Sequence, residues 1–171
     1  FEVLDASSPV LEKPNAVVLE RADGDVEFND VSFSYENRVP ALQHVSISAK
    51  RDQITAILGA PGSGKSTIVN LLPRFYDVSE GSITIDGQDL RDVKIDSLRK
   101  AVGVVEQDTF LFTASVEHNV AYGDPWAPDD RVESASKYAQ LGDYIDRLPG
   151  GYNTLVRGRG GSVSGGQRQR L

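Results

Sequence analysis

The stretch Gly59-Ala60-Pro61-Gly62-Ser63-Gly64-Lys65-Ser66-Thr67 decides the reading of this 171-residue chain. It fits G-x-x-x-x-G-K-[ST], the phosphate-binding loop. The spacing has a physical reason. Glycines let the loop curl so that backbone N–H groups point inward at phosphate oxygens. A helix opening near Gly64 adds the positive end of its dipole. Lys65 can reach the β- and γ-phosphates, and the Ser66 hydroxyl can bind Mg²⁺. The competing reading is a glycine-rich turn before an ordinary helix, and the flanks argue against it. Ile54-Thr55-Ala56-Ile57-Leu58 reads as a short buried strand entering the loop. Ile68, Leu71, Leu72 and Phe75 then recur at helical spacing and give one apolar face. Strand, loop and helix in that order point to a nucleoside triphosphate and Mg²⁺ as ligands.

Composition sets the outer bounds. The length is that of about one domain. Hydrophobic residues are 39% and charged residues 25%, and the net charge is −7. Nucleic acid is not expected as a partner, because phosphate backbones need concentrated Lys and Arg. Arg157, Arg159, Arg168 and Arg170 cluster near the end without a neighbouring acid, and read as a solvated or nucleotide-facing surface. The absence of Cys excludes a disulfide framework and thiolate metal sites. No apolar run approaches the length of a membrane span. The absence of any Met, even at position 1, reads as a piece of something longer.

Along the chain, residues 1–22 read as a connector broken by Ser7-Ser8-Pro9 and Lys13-Pro14-Asn15. Val26, Phe28, Val31, Phe33 and Tyr35 alternate with one shift at Asn29-Asp30, as for a strand that bends. Val45–Ser48 alternates again, and Ser82–Gly87 reads as a strand ending in an Asp-Gly turn. A short helix over Ile95–Lys100 precedes a buried strand at Val102–Val105. Beyond Gln107 the pattern is helical over Ser115–Tyr122, Asp129–Gln140 and Asp143–Leu148. Strands first and helices after predict a mixed α/β nucleotide-binding core with a helical insertion.

Eight of the 16 glycines fall in two short stretches, three in the loop and five between 158 and 166. In the second stretch, Ser164 with Gln167 three residues on fits a capping box at a helix start. Gly165 and Gly166 leave the first backbone N–H groups unscreened, which makes a second potential anion site. Ser164-Gly165-Gly166-Gln167 resembles the signature of ATP-binding cassette (ABC) proteins. Ser32-Phe33-Ser34-Tyr35 resembles the adenine-stacking loop of that family, and Val104-Val105-Glu106-Gln107-Asp108 its glutamine loop. These stretches and the phosphate loop stand in the family's order and cover essentially the whole chain. Phe1–Asp5, Asn70–Asp77 and Leu111–Val116 add to a likeness with exporter nucleotide-binding domains.

The resemblance implies an α/β P-loop NTPase of the ABC ATPase type, with an antiparallel β subdomain, a helical subdomain and an incomplete core sheet. Residues 1–22 would connect from a preceding transmembrane domain, and 23–171 would be the ATP-binding domain. Within it, 23–106 would hold the β subdomain and phosphate-loop core, and 107–171 the glutamine loop, helical subdomain and signature. Tyr35 would stack on adenine, since a flat ring offers a π-face to any base; a strand aromatic buried in the sheet is the alternative. Val39 would line the same pocket. Gly59, Ala60, Pro61, Gly62, Ser63, Gly64, Lys65, Ser66 and Thr67 would hold the phosphates, with Ser66 and Gln107 on Mg²⁺. Gln107 would also orient the attacking water. Phe110, Leu111 and Phe112 would belong either to a groove for a membrane-domain helix or to the insertion's core. Ser164, Gly165, Gly166 and Gln167 would cover the ATP of a second ABC domain, identical or different, paired head to tail.

Two positions depart from the family pattern. Val163 stands where Leu is usual, and Gly158 where exporters carry an acid that helps couple to the membrane partner. His44 and His118 read as surface or packing residues, because the family's switch histidine lies after the signature. The resemblance places the Mg²⁺-binding Asp and the catalytic Glu beyond Leu171, so turnover is not expected from these residues alone. The implied whole is an ATP-driven exporter subunit at the cytoplasmic face of a membrane. An ABC importer ATPase and a non-transport ABC ATPase are the alternatives.

Overall fold

A computed structural model describes residues 8, 10–35, 39–107, 109–156 and 163–171. Residues 1–7, 9, 36–38, 108 and 157–162, among them the stretch Phe1–Asp5, Asp108 and Gly158, lie outside them. The chain divides into two compact units, Phe1–Val104 and Val105–Leu171.

The first unit is built on an antiparallel sheet of order β2-β1-β3-β4. Its strands are β1 (Val26–Phe33), β2 (Leu42–Ala49), β3 (Glu80–Ile85) and β4 (Gln88–Asp89). The shift read at Asn29-Asp30 is a bulge. Pairing of β1 with β2 slips between Phe28 and Val31, and pairing with β3 slips between Asn29 and Ser32. Asp30 takes φ 52 there. The extra residue resets the period of two, so Phe28, Val31 and Phe33 are all buried on one side. Gly81 faces the bulge, and a Cβ on it would strike the carbonyls of Asn29 and Asp30. The Asp86-Gly87 turn joins β3 to β4 through two residues of positive φ, 51 and 78. That is the hairpin geometry Asp-Gly favours.

Helix α1 (Lys65–Leu71) lays Ile68 and Leu71 on this sheet. Helix α2 (Ile95–Ala101) closes the core with Leu98, beside Leu90 and Val93. Residues 10–19 lie against the same body. Val10 and Leu19 are buried, and Val17 forms a parallel bridge with Val93.

Two expected strands are not formed. Residues 51–60 are exposed throughout, with Ile54 at 101% and Leu58 at 92%, and Val105 is 72% exposed. A strand exists only through lateral pairing of its N–H and C=O groups. Neither Ile54–Leu58 nor Val102–Val105 finds a partner among the described residues. The core sheet is incomplete, as the resemblance implied, and apolar runs suited to burial on two faces stand open.

The second unit is helical, with α3 (Val116–Val120), α4 (Asp129–Tyr138), α5 (Gly142–Asp146) and α6 (Gly165–Arg170). Its core gathers Leu111, Val116, Leu141, Ile145, Val156 and Val163. Asn119 is its buried polar post. Its Oδ1 accepts from the Phe112 N–H at 2.8 Å, and its Nδ2 donates to the carbonyls of Phe112 and Ser115 at 3.1 and 2.9 Å. No helix among the described residues is long and apolar enough to cross a membrane.

Candidate functional site

The glycine loop is shaped by two left-handed residues, Gly62 at φ 79 and Gly64 at φ 88. A Cβ at Gly64 would meet the Ala41 carbonyl and the Leu42 side chain at 2.6 Å. Glycine is therefore required twice over, by backbone conformation and by closeness to the start of β2. A Cβ at Gly59 would strike the Ser63 hydroxyl. Gly64 is also the N-cap of α1, and among the described residues no side chain caps that helix.

The Lys65 ammonium folds back over the loop. It donates to the carbonyls of Gly59 at 2.9 Å and Ala60 at 2.8 Å, and to Ser63 Oγ at 3.4 Å. Ser66 stands exposed on the first turn, and Thr67 beside it is buried. A cation, a surface hydroxyl and an uncapped helix start thus converge on one exposed loop. That donor set fits a triphosphate with its Mg²⁺.

Tyr35 comes to the same helix. Its hydroxyl donates to Thr67 Oγ1 at 3.3 Å. Its ring meets Phe33 edge-on at 4.8 Å and Tyr76 edge-on at 5.1 Å. Tyr35 is half-buried, so it both packs on the core and keeps exposed surface near α1. Val39 is 86% exposed. Tyr76, the third aromatic, escaped the sequence reading because it follows the helix and shares no period with Phe33 and Tyr35.

The remaining expected site residues belong to the second unit. Gln107 is exposed. Leu111 is buried in the core, whereas Phe110 is 60% exposed. Phe110 meets the Phe112 ring at 5.1 Å, and Phe112 stacks on Tyr122 at 4.5 Å. The tripeptide therefore divides between core and surface. His118 lines a cavity of about 360 Å³ with Glu117, Tyr122 and Pro125, and His44 pairs with Asp30 at 3.1 Å on the surface of the first unit.

The capping box at α6 is present. Ser164 Oγ accepts from the Gln167 N–H at 3.3 Å, and Gln167 Oε1 accepts from the Ser164 N–H at 2.9 Å. Neither Gly165 nor Gly166 has a described atom within 4 Å of where a Cβ would stand. Val163 is 8% exposed, which explains why an apolar residue suits the position before Ser164.

A glycine loop opening a helix beneath an antiparallel sheet, with a helical unit ending in a Ser-Gly-Gly-Gln cap, defines a P-loop ATPase domain. The profile of the family described as ABC transporter matches residues 42–171, and the chain belongs to that family. It is 45% identical over its whole length to ABC transporter B family member 29, chloroplastic, of Arabidopsis thaliana, covering 27% of that protein. It is also 45% identical to the iron-sulfur clusters transporter atm1, mitochondrial, of Aspergillus fumigatus, covering 24% of it. A solved bacterial Atm1-family ABC exporter with ATP bound superposes with a TM-score of 0.93 at 43% identity, over 99% of this chain and 30% of that one. The chain spans less than a third of each of these relatives.

Proposed function

We propose that this chain is the ATP-binding and hydrolysing domain of an ABC exporter, working at the cytoplasmic face of a membrane. The observation that carries the reading is the loop at 59–67. Its fold-back Lys65, exposed Ser66 and two left-handed glycines stand in a chain that matches the ABC family.

On binding ATP, Lys65 exchanges two carbonyl partners for β- and γ-phosphate oxygens, with its ammonium already over the loop. The N–H groups from Gly62 to Thr67 take the remaining oxygens. Tyr35 offers its ring to adenine from beside the same helix. Ser66 would hold Mg²⁺, a role the family resemblance also gives to Gln107, and the ion would supply charge neutralisation on the phosphates. Ser164, Gly165, Gly166 and Gln167 close over the ATP of a second ABC domain, so two chains share each site. The open space at both glycines supports that role, because an approaching phosphate would meet backbone N–H groups and no Cβ.

The test is nucleotide binding and turnover in the full-length natural protein. Lys65→Ala is expected to lower ATPase activity at least 100-fold, the scale lost when one preorganised donor to developing charge is removed. Turnover by Lys65→Ala equal to that of the wild type would overturn the reading.

A further inference from the structure

We propose that Arg74 locks residues 10–19 to the helix of the nucleotide loop, so that this strap responds when ATP binds. The inference rests on the ATP-binding reading above and goes beyond it. Arg74 is 3% exposed, and its guanidinium joins three separate stretches of chain. Nε and Nη2 grip the Asp77 carboxylate at 2.6 and 3.1 Å. Nη2 also donates to the Leu11 carbonyl at 3.1 Å, and Nη1 to the Leu90 carbonyl at 3.4 Å. Only a planar fork of donors meets a carboxylate and two carbonyls at once.

The turn that carries Arg74 is held from its other side. Arg99, on α2, donates to the carbonyls of Pro73 and Arg74, each at 3.2 Å. Its guanidinium lies 5.2 Å from the Phe75 ring centre. Helix α2 is in turn tied to the strap. Its N-cap, Lys94, offers no side-chain acceptor, and the Glu12 carboxylate takes the Ile95 N–H instead, at 2.9 Å. Val17 bonds both ways across the same edge, donating to Asp92 at 2.8 Å and accepting from Lys94 at 2.8 Å. The strap, the turn after α1, and α2 thus form a closed triangle of contacts. In a closed triangle no side shifts alone.

Its buried corner gives the triangle stiffness. Moving Leu11 away would leave a desolvated guanidinium N–H without an acceptor, which is far costlier than losing an exposed hydrogen bond. Arg74 also holds φ 54, a left-handed value that a non-glycine residue keeps only when its surroundings fix it. Helix α1 has Lys65 and Ser66 at its start and leads into this turn at its end. Ordering the loop around ATP therefore reaches the strap through one short helix with no glycine in it.

The experiment is amide hydrogen exchange on the full-length natural protein, with and without Mg·ATP, alongside an ATP titration. In the wild type, Mg·ATP is expected to slow exchange of the Val17 amide at least threefold. Arg74→Lys is expected to abolish that ratio while ATP Kd stays within threefold. A purely structural role would raise exchange equally with and without ATP; an unchanged ratio in Arg74→Lys overturns the proposal. So does a wild-type Val17 amide indifferent to bound ATP. Glu12→Ala, at an exposed position, keeps the question open to test if Arg74→Lys does not fold: a lost ratio supports the strap and a retained one refutes it. Absence of ATP binding in the wild type itself would overturn the functional reading instead.

Discussion

At the scale of single residues, Tyr35 shows how packing and recognition share one side chain. Its ring belongs to an aromatic triangle with Phe33 and Tyr76, and its hydroxyl reaches Thr67. Both readings of this residue, core aromatic and adenine platform, are compatible with a half-buried ring. They are separable by substitution. Tyr35→Phe keeps the π-face and gives up a long hydrogen bond, so ATP affinity should fall no more than a few-fold. Tyr35→Ala removes the face, worth roughly 1–3 kcal/mol per stacked base, or about five- to a hundred-fold in Kd. Titration with ATP in the full-length protein measures both. Equal affinities for Tyr35→Ala and the wild type would assign the ring to packing alone. The glycine loop was legible at this scale because its residue types answer to backbone requirements. Gly62 and Gly64 are written in the sequence as glycines and appear in the structure as left-handed residues. Arg74 was not legible: an Arg is ordinarily a surface residue, and only the fold reveals what surrounds it.

At the scale of elements, caps and turns were the most readable features. The capping box at Ser164 and the Asp-Gly hairpin both follow from local chemistry that needs no tertiary partner. Helix α6 has only six residues, so its cap holds a large part of its stability. Ser164→Ala should cost about 1 kcal/mol locally, which is roughly a fivefold faster exchange of the Gln167 amide. Exchange as slow as in the wild type would mean that packing alone holds the helix. The bulge in β1 was visible as a break in alternation, since a period of two permits no other way to keep Phe28 and Val31 on one face. The strands at Ile54–Leu58 and Val102–Val105 were read from apolar runs. Such runs report what a segment could bury and say nothing about which neighbours are present to bury it.

At the scale of the whole molecule, charge and pH become the useful variables. The net charge is −7, and several of the acids are held in ion pairs. Asp25 is the clearest case, with its pKa held below the ordinary 3.8. The Arg51 N–H does most of this, donating to the carboxylate at 2.8 Å, and Lys50 assists at 3.4 Å. Because the folded value is the lower one, the stabilisation is complete above the unfolded pKa and is lost as pH falls through the folded pKa. Wild type should therefore unfold at higher urea than Asp25→Asn near pH 6. The difference should shrink as pH falls below the ordinary 3.8 and be lost once pH passes the lowered folded-state value. High salt should shrink the part due to Lys50, which is exposed to solvent. A difference independent of pH would rule out ionisation as its source.

The empty space beside Gly165 and Gly166 bears on how variants of this chain are scored. Among the described residues an alanine Cβ at either position meets nothing outside the helix itself, and alanine is the better helix former. A survey that ranks substitutions by cellular abundance or melting temperature would rate both changes as harmless or beneficial. On the proposed function, loss would surface only where a second ATPase domain meets this segment around a nucleotide. Under that proposal a variant could raise protein levels while abolishing the transport it drives, and stability-based triage would pass it as benign.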